Sequence, residues 1–450
     1  MDALKGYVHD HLEEALADLR RLLAQPSIAA SGEGIGECAV LVRELFSAAG
    51  AEVRVFRADG AAPLLVAEFP GRADRTLLFY NHYDVQPPDP LHEWTTPPFS
   101  PTVRDGKLYA RGAADNKGNI TDRLAAVRAL QAVRGALPCR VKFIIEGEEE
   151  IGSIHFGRYV DEHREALAGD ACIWEFGERD LKERLSMVAG IKGICYLDLA
   201  LEATARDLHS SIGAIVEGAA SRLIWALASL KDPATGRVRV PGFYDRVRLP
   251  TDREREVVRA LPFDEEERKA LYGVTRWIGG KEGAAAQEDL YFAPTCTVCG
   301  FESGYTGPGS KTVLPRRAIA KVDFRLVPDQ DPGEIADLVR RHFAAQGFGD
   351  TSVTPLGGEK PYRSRLDDPF IEMVTRVSAE ATGREVKLAP TSAGTGPMYP
   401  VGTILNVPVI SLGDGYWDSR GHAPDENIRV ADFEETIYLM ARIIDAYGAM

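Results

Sequence analysis

The chain has 450 residues, 45% of them apolar and 27% charged, with a net charge of −14. That length points to two domains, and the balance is that of a folded globular protein rather than a disordered one. The acidic charge speaks against nucleic acid or an anionic membrane as the main partner.

At the N-terminus Leu4, Val8, Leu12, Leu16, Leu19 and Leu22 form a helical stripe with charges between them, unlike the layout of a signal peptide. No run approaches the roughly 18 apolar residues that a membrane span needs. The six cysteines lie in apolar, strand-like surroundings and read as buried free thiols of a reducing compartment. A cytoplasmic protein is therefore expected. Cys296-Thr297-Val298-Cys299 has no second pair to complete a zinc site.

Residues 76–80, 141–145 and 171–174 are short apolar runs, as expected of strands buried on both faces of a largely parallel sheet. Between the first two, Ile120, Leu124, Val127, Leu130 and Val133 mark one face of a helix opening after Lys117-Gly118-Asn119. This alternation predicts an α/β layer structure. From Gly193 the texture changes. Cys195, Leu197, Leu199 and Leu201 alternate with polar neighbours, and Ala320, Val322, Phe324 and Leu326 repeat the pattern, so both read as half-exposed strands. Asp331, Pro332 and Glu334 then open a helix as N-cap, N1 and N3. Residues 252–268 read as one solvated helix in a charged, irregular stretch. After Pro361 the α/β texture returns, with Val407, Val409 and Ile410 leading towards His422. The expected organisation is an α/β catalytic domain with a mostly parallel central sheet (1–191 and 363–450), interrupted by an inserted α+β domain (192–362).

His82, Asp115, Glu150, Glu175 and His422 stand out as a candidate site. His82, Glu150 and Glu175 each lie just past a predicted buried strand, and Asp115 lies just before a helix. Open α/β sheets build their sites at such edges. Two imidazoles and three carboxylates suit a pair of divalent ions, zinc first and manganese or cobalt also acceptable, with one carboxylate bridging. In His82-Tyr83-Asp84 the period of two puts both side chains on one side, so Asp84 could fix the His82 tautomer. Glu148-Glu149-Glu150 follows a buried run and is bracketed by Gly147 and Gly152. One glutamate there could bind metal while a neighbour acts as base, although sequence logic alone does not divide the roles.

These segments, with Val85-Gln86-Pro87, Trp94, Pro98-Phe99 and Tyr109 to Gly118, resemble the dinuclear zinc peptidases. That family groups carnosine-type dipeptidases, glutamate carboxypeptidase, aminoacylase and the acetylornithine and succinyl-diaminopimelate deacylases. The resemblance spans essentially the whole chain and looks closest to the dipeptidase branch. It implies that His82 and Glu175 hold one metal, Glu150 and His422 the other, and that Asp115 bridges them. It makes Glu149 the general base and Asp84 the partner of His82. Glu178, three residues past Glu175, is the less favoured alternative ligand. Asp207-Leu208-His209-Ser210-Ser211 resembles the family's lid-histidine segment, which implies a homodimer in which His209 reaches the neighbouring subunit's substrate carbonyl. The inserted domain would then serve as lid and dimerisation domain. Arg325 matches a family arginine that could pair with a substrate carboxylate.

Where carnosine-type dipeptidases carry Arg-Glu-Gly-Gly-Ser-Ile-Pro, this chain has Thr391-Ser392-Ala393-Gly394-Thr395-Gly396-Pro397. The Thr395 hydroxyl and the glycine N–H groups are what remain there to meet a substrate. The resemblance thus implies hydrolysis of dipeptides or similar small peptides, with a deacylase of N-acyl amino acids as the alternative. A metal-free scaffold of the same fold would be expected to lose ligands or the base, and all are present.

Overall fold

The computed structural model describes residues 2–450, which group into two compact units. The first runs up to Gly190 and resumes over Arg363–Pro390 and Gly396–Met450; the second comprises Ile191–Tyr362 and Thr391–Thr395. The sequence boundaries put residues 391–395 in the last catalytic segment, whereas here they cluster with the second unit. The Lys192 N–H donates to the Gly394 carbonyl and Ile191 bridges Ser392, which ties them there.

A six-stranded sheet forms the centre of the first unit, in the order Glu52–Phe56, Leu64–Phe69, Leu137–Glu146, Gly71–His82, Ala171–Trp174, Val409–Ser411. The last four strands run parallel and the first two extend the edge antiparallel. Leu77, Leu78, Phe79 and Tyr80 are all buried, as a strand covered on both faces requires. The helix Gly118–Arg134 places Ile120, Leu124, Val127 and Leu130 in the same core as Phe79 and Phe143, together with the C-terminal helix Val430–Gly448. The N-terminal stripe is buried as expected at Leu4, Val8, Leu16, Leu19 and Leu22, but over two helices, Ala3–Asp10 and Leu12–Ala24, which meet at His11.

The second unit is built on an antiparallel sheet in the order Thr297–Ser303, Arg317–Leu326, Gly193–Glu202, Ser352–Glu359. Cys195, Leu197, Leu199 and Leu201 pack with Ala320, Val322, Phe324 and Leu326 against the helices Ala219–Leu230 and Pro332–Ala345. Asp331 caps the latter by accepting the Gly333 and Glu334 N–H groups, with Pro332 in its first turn. The stretch read as one helix over 252–268 is instead two, Asp252–Ala260 and Glu265–Tyr272. Pro262 lies between them; it lacks a backbone donor and pushes Leu261 out of the helical region.

Phe143 sits against Phe46, Phe69 and Phe79 at centroid distances of 4.7, 6.1 and 5.0 Å, with no exposure. Phe143→Ala is expected to cost about 3–5 kcal/mol of stability in urea denaturation. A loss below about 1 kcal/mol would be that of an ordinary surface change and would contradict this packing.

Candidate metal centre

The parallel strands end together, and their ends deliver the site. His82 is the last residue of its strand, Glu175 follows Ala171–Trp174, and Glu150 lies in a one-turn helix, Glu149–Ile151, just past Leu137–Glu146. Asp115 sits in the turn Ala113–Lys117 that leads into the helix Gly118–Arg134. His422 has φ 64°, in the left-handed region that L-residues rarely occupy, and is the most exposed of the set.

Asp115 is shared. Its Oδ1 lies 2.9 Å from His82 Nε2 and its Oδ2 lies 3.0 Å from His422 Nε2. His82 Nε2 is also 3.3 Å from Glu175 Oε2, and His422 Nε2 is 3.2 Å from Glu150 Oε2. Two clusters therefore meet at one carboxylate: His82, Glu175 and Asp115, and His422, Glu150 and Asp115. Donors bonded at ~2.0–2.2 Å to a tetrahedral ion stand roughly 3.3 Å apart, which the two histidine–glutamate spacings approach, while the two contacts to Asp115 are at hydrogen-bond length. Ligand atoms of His82, Asp115 and Glu150 also converge within 4.8 Å as a candidate cation group. Glu150 Oε1 and Glu175 Oε2 are buried and accept no hydrogen bond, the state expected of oxygens reserved for a cation. The donor set fits divalent metal.

Electrostatics point the same way. Burial works against a charged His82, yet the Glu175, Asp115 and Asp84 carboxylates outweigh it and raise its pKa well above the ordinary value. Hydrogen bonds to Asp115 and Glu150 lift His422 to about 10. Burial opposes ionisation of Asp115, but the His422 and His82 rings hold its carboxyl below the usual range. Burial, reinforced by Asp115 and Glu150, pushes Glu149 well above it. The site gathers more carboxylate than its two imidazoles offset.

The glutamate-rich run divides its work in a way the sequence could not show. Glu146 is taken by the Tyr80 and Ser153 hydroxyls, and Glu148 by the Ala62 and His155 N–H groups and the His155 ring. Glu149 and Glu150 are left half-buried at the site. Asp84 lies beneath His82, with Nδ1 3.3 Å from Asp84 Oδ1 and 3.1 Å from its backbone oxygen. The backbone oxygen accepts from Nδ1, with the carboxylate alongside, which keeps the proton there and leaves Nε2 free to ligate. Asp84 Oδ2 also accepts the Glu150 N–H at 3.0 Å. Glu178 is exposed on a separate short strand, away from this arrangement.

Residues not anticipated from the sequence hold these groups in place. Glu426, fully buried, accepts the N–H groups of Gly112, Ala114 and Asp115 and a 2.7 Å hydrogen bond from Arg111 Nη1. One carboxylate thus shapes the whole loop that presents Asp115. The buried Arg123 guanidinium donates to the carbonyls of Tyr80, Trp174 and Leu412, fastening three strand ends together. Asn81 donates to the Asn116 side chain, which donates to the Glu175 carbonyl. These contacts join the neighbours of His82, Asp115 and Glu175. A weak signal existed for Glu426, an acid four residues past His422; the contacts themselves span some 300 residues of chain and leave no local trace.

The remaining sequence-predicted residues lie in the second unit. Arg325 and Thr395 are brought together, Arg325 Nη1 donating to the Thr395 hydroxyl at 2.6 Å. Glu359 is nearby, lifted by burial to about 7 although Arg325 opposes the shift, and Lys192 is lowered to about 8 by burial and by Arg325. His209 is exposed beside Thr312. Its Nδ1 accepts the Ser211 N–H, so the ring proton sits on Nε2, 3.2 Å from the Thr312 hydroxyl.

The pattern of Peptidase family M20/M25/M40 matches residues 78–446, which is most of the chain. The protein belongs to this family. Among its M20 relatives, the Beta-Ala-His dipeptidase of Rattus norvegicus is 30% identical over 379 residues, covering 81% of this chain and 76% of the relative. The Cys-Gly metallodipeptidase of Schizosaccharomyces pombe is 27% identical over 470 residues, covering 99% and 98%. Of solved structures, an M20 family metallo-carboxypeptidase from Sulfolobus solfataricus superposes with a TM-score of 0.89 at 38% identity, covering 97% of this chain and all of that one.

If Glu426 positions Asp115, Glu426→Gln will weaken zinc binding about 10–100-fold, as removal of a partner behind a metal ligand does elsewhere. Chelator competition on the folded variant measures it. Unchanged zinc affinity would show that the loop holds its shape without this carboxylate.

Proposed function

We propose that this M20 peptidase is a metal-dependent dipeptidase that hydrolyses the amide bond of dipeptides and similar small peptides. The observation that carries the reading is the Asp115 carboxylate held between two histidine–carboxylate pairs, with Glu149 beside it. His82, Glu175 and Asp115 would hold one divalent ion and His422, Glu150 and Asp115 a second, zinc first and manganese or cobalt also suited to this oxygen-rich set. When bound, such ions would polarise the substrate carbonyl and bring the pKa of a coordinated water down towards roughly 7.

The chain's own groups do the rest. Glu149 takes a proton from the attacking water and passes it to the leaving amine nitrogen, so hydroxyl adds to the carbonyl carbon as the C–N bond breaks. Asp84 keeps His82 in the ligating tautomer. His209, with its proton on Nε2, donates to the carbonyl oxygen as charge develops there, and does so across a homodimer. One good donor of this kind contributes ~3–4 kcal/mol. Arg325 and the Thr395 hydroxyl receive the substrate's terminal carboxylate.

Two of the relatives described above are dipeptidases and the third is a metallo-carboxypeptidase, which favours a peptide over an N-acyl amino acid as substrate. A cytoplasmic setting is supported by six free cysteines, five of them buried. No helix among the described residues is long and apolar enough to cross a membrane.

Protein stripped of metal and reloaded with zinc or manganese is expected to cleave unblocked dipeptides, with the stripped form inactive; cleavage confined to N-acyl amino acids would instead make it a deacylase. Glu149→Ala should lower kcat about 10²–10⁴-fold with metal content nearly intact. Loss of metal from that variant would make Glu149 a ligand rather than the base.

A further inference from the structure

The second unit contains a cavity of about 510 Å³, walled by residues between 231 and 295 and by Ala393, in the size range of sites that bind small molecules. None of the residues given a part in hydrolysis lines it. The helix Glu265–Tyr272, the turn that follows and the helix Gly283–Phe292 supply most of the wall. Three rings stand around the space: Trp277 lies 6.3 Å from Phe263 and 6.4 Å from Tyr272, tilted and edge-on rather than stacked. Tyr272 is 58% and Ile278 65% exposed. Apolar surface left open in a concave site is a cost to the free protein and marks a place where something binds.

The charges at the cavity say what kind of molecule fits. Its charged lining side chains are Lys231, Arg268, Lys281 and Asp289, three cations to one acid in a chain of net charge −14. Asp289 is taken by Lys281 at 2.5 Å, and Lys231 Nζ donates to the Cys296 carbonyl at 2.9 Å. Arg268 is left over. Its guanidinium lies 5.3 Å over the Phe263 ring and, among the described residues, has no carboxylate or side-chain hydrogen-bond partner. Glu265, three residues back and so a neighbour on the helix, is already paired with Lys269 at 2.7 Å and accepts the Gly283 N–H at 2.6 Å. Tyr272, four residues on, shares the Arg268 face of that helix, so cation and ring border the same space.

We propose that this cavity is a second ligand site, for a small carboxylate with an aromatic or branched aliphatic body. The body sits among Phe263, Tyr272 and Trp277, where ring contacts add to the gain from burial. The carboxylate meets the forked donor face of Arg268, which suits two oxygens in one plane. The excess of cations works against a positively charged ligand. A wholly apolar one would cover Arg268 without giving it a partner, and a charge desolvated in that way is costly. Only an apolar body carrying an anion satisfies both the rings and the guanidinium.

The test is titration calorimetry of the metal-loaded full-length protein with 3-phenylpropionate and with its neutral amide. The acid is expected to bind about 10–100-fold more tightly than the amide, the scale of a hydrogen bond to a charged group. Arg268→Gln should remove that preference and leave the affinity for the amide nearly unchanged. Tyr272→Ala, at a largely exposed position that tolerates change, should weaken acid and amide alike. In crystals soaked with 3-(4-bromophenyl)propionate, the anomalous bromine peak is expected among the three rings. Equal affinity for acid and amide, binding of neither at millimolar concentration, or acid binding that ignores Arg268→Gln would overturn the site. A bromine peak at the metal centre with none in the cavity would also overturn it, by making the acid a ligand of the ions.

Discussion

The concentration of negative charge at the end of one parallel sheet constrains everything around it. Asp84, Asp115, Glu149, Glu150 and Glu175 gather about two imidazoles, and burial makes their mutual repulsion expensive. Such a cluster persists only if cations compensate it. The same carboxylates raise the pKa values of His82 and His422, so the site favours positive charge. Divalent ions would supply that charge and meet the orphaned oxygens of Glu150 and Glu175. The centre is thus assembled for ions by its own electrostatics.

Holding like charges close also requires rigid loops, and the structure achieves this with buried polar groups aimed at the backbone. Glu426 is spent on three N–H groups and Arg111, and Arg123 on three carbonyls at strand ends. Each such group is fully desolvated, and losing its partners would leave a buried charge unpaired. Their specialised use explains why so many ionisable residues stand near the site while only a few carry its chemistry.

The parts legible in the sequence were those with local signatures. The buried runs, the alternating strands and the Asp331–Pro332 cap all rest on period or on neighbouring residues, and they fold as read. His82, Asp115, Glu150, Glu175 and His422, which the structure brings together, are framed in the sequence by strand ends and turn glycines. What escaped depends on distant chain. Neither the division of labour among Glu146, Glu148, Glu149 and Glu150 nor the grip of Glu426 on the Asp115 loop can be seen without knowing which hydroxyls and amides lie opposite. The 252–268 stretch was misread because its charge pattern outweighed Pro262, a single residue that ends one helix before the next begins.

We propose that Asp115 is shared between two divalent ions. Anomalous diffraction from zinc-loaded crystals, collected at the zinc edge, tests it most directly. Two peaks about 3.5–4 Å apart on either side of the Asp115 carboxylate are expected. A single peak, or a second one remote from Asp115, would mean that this carboxylate is not shared.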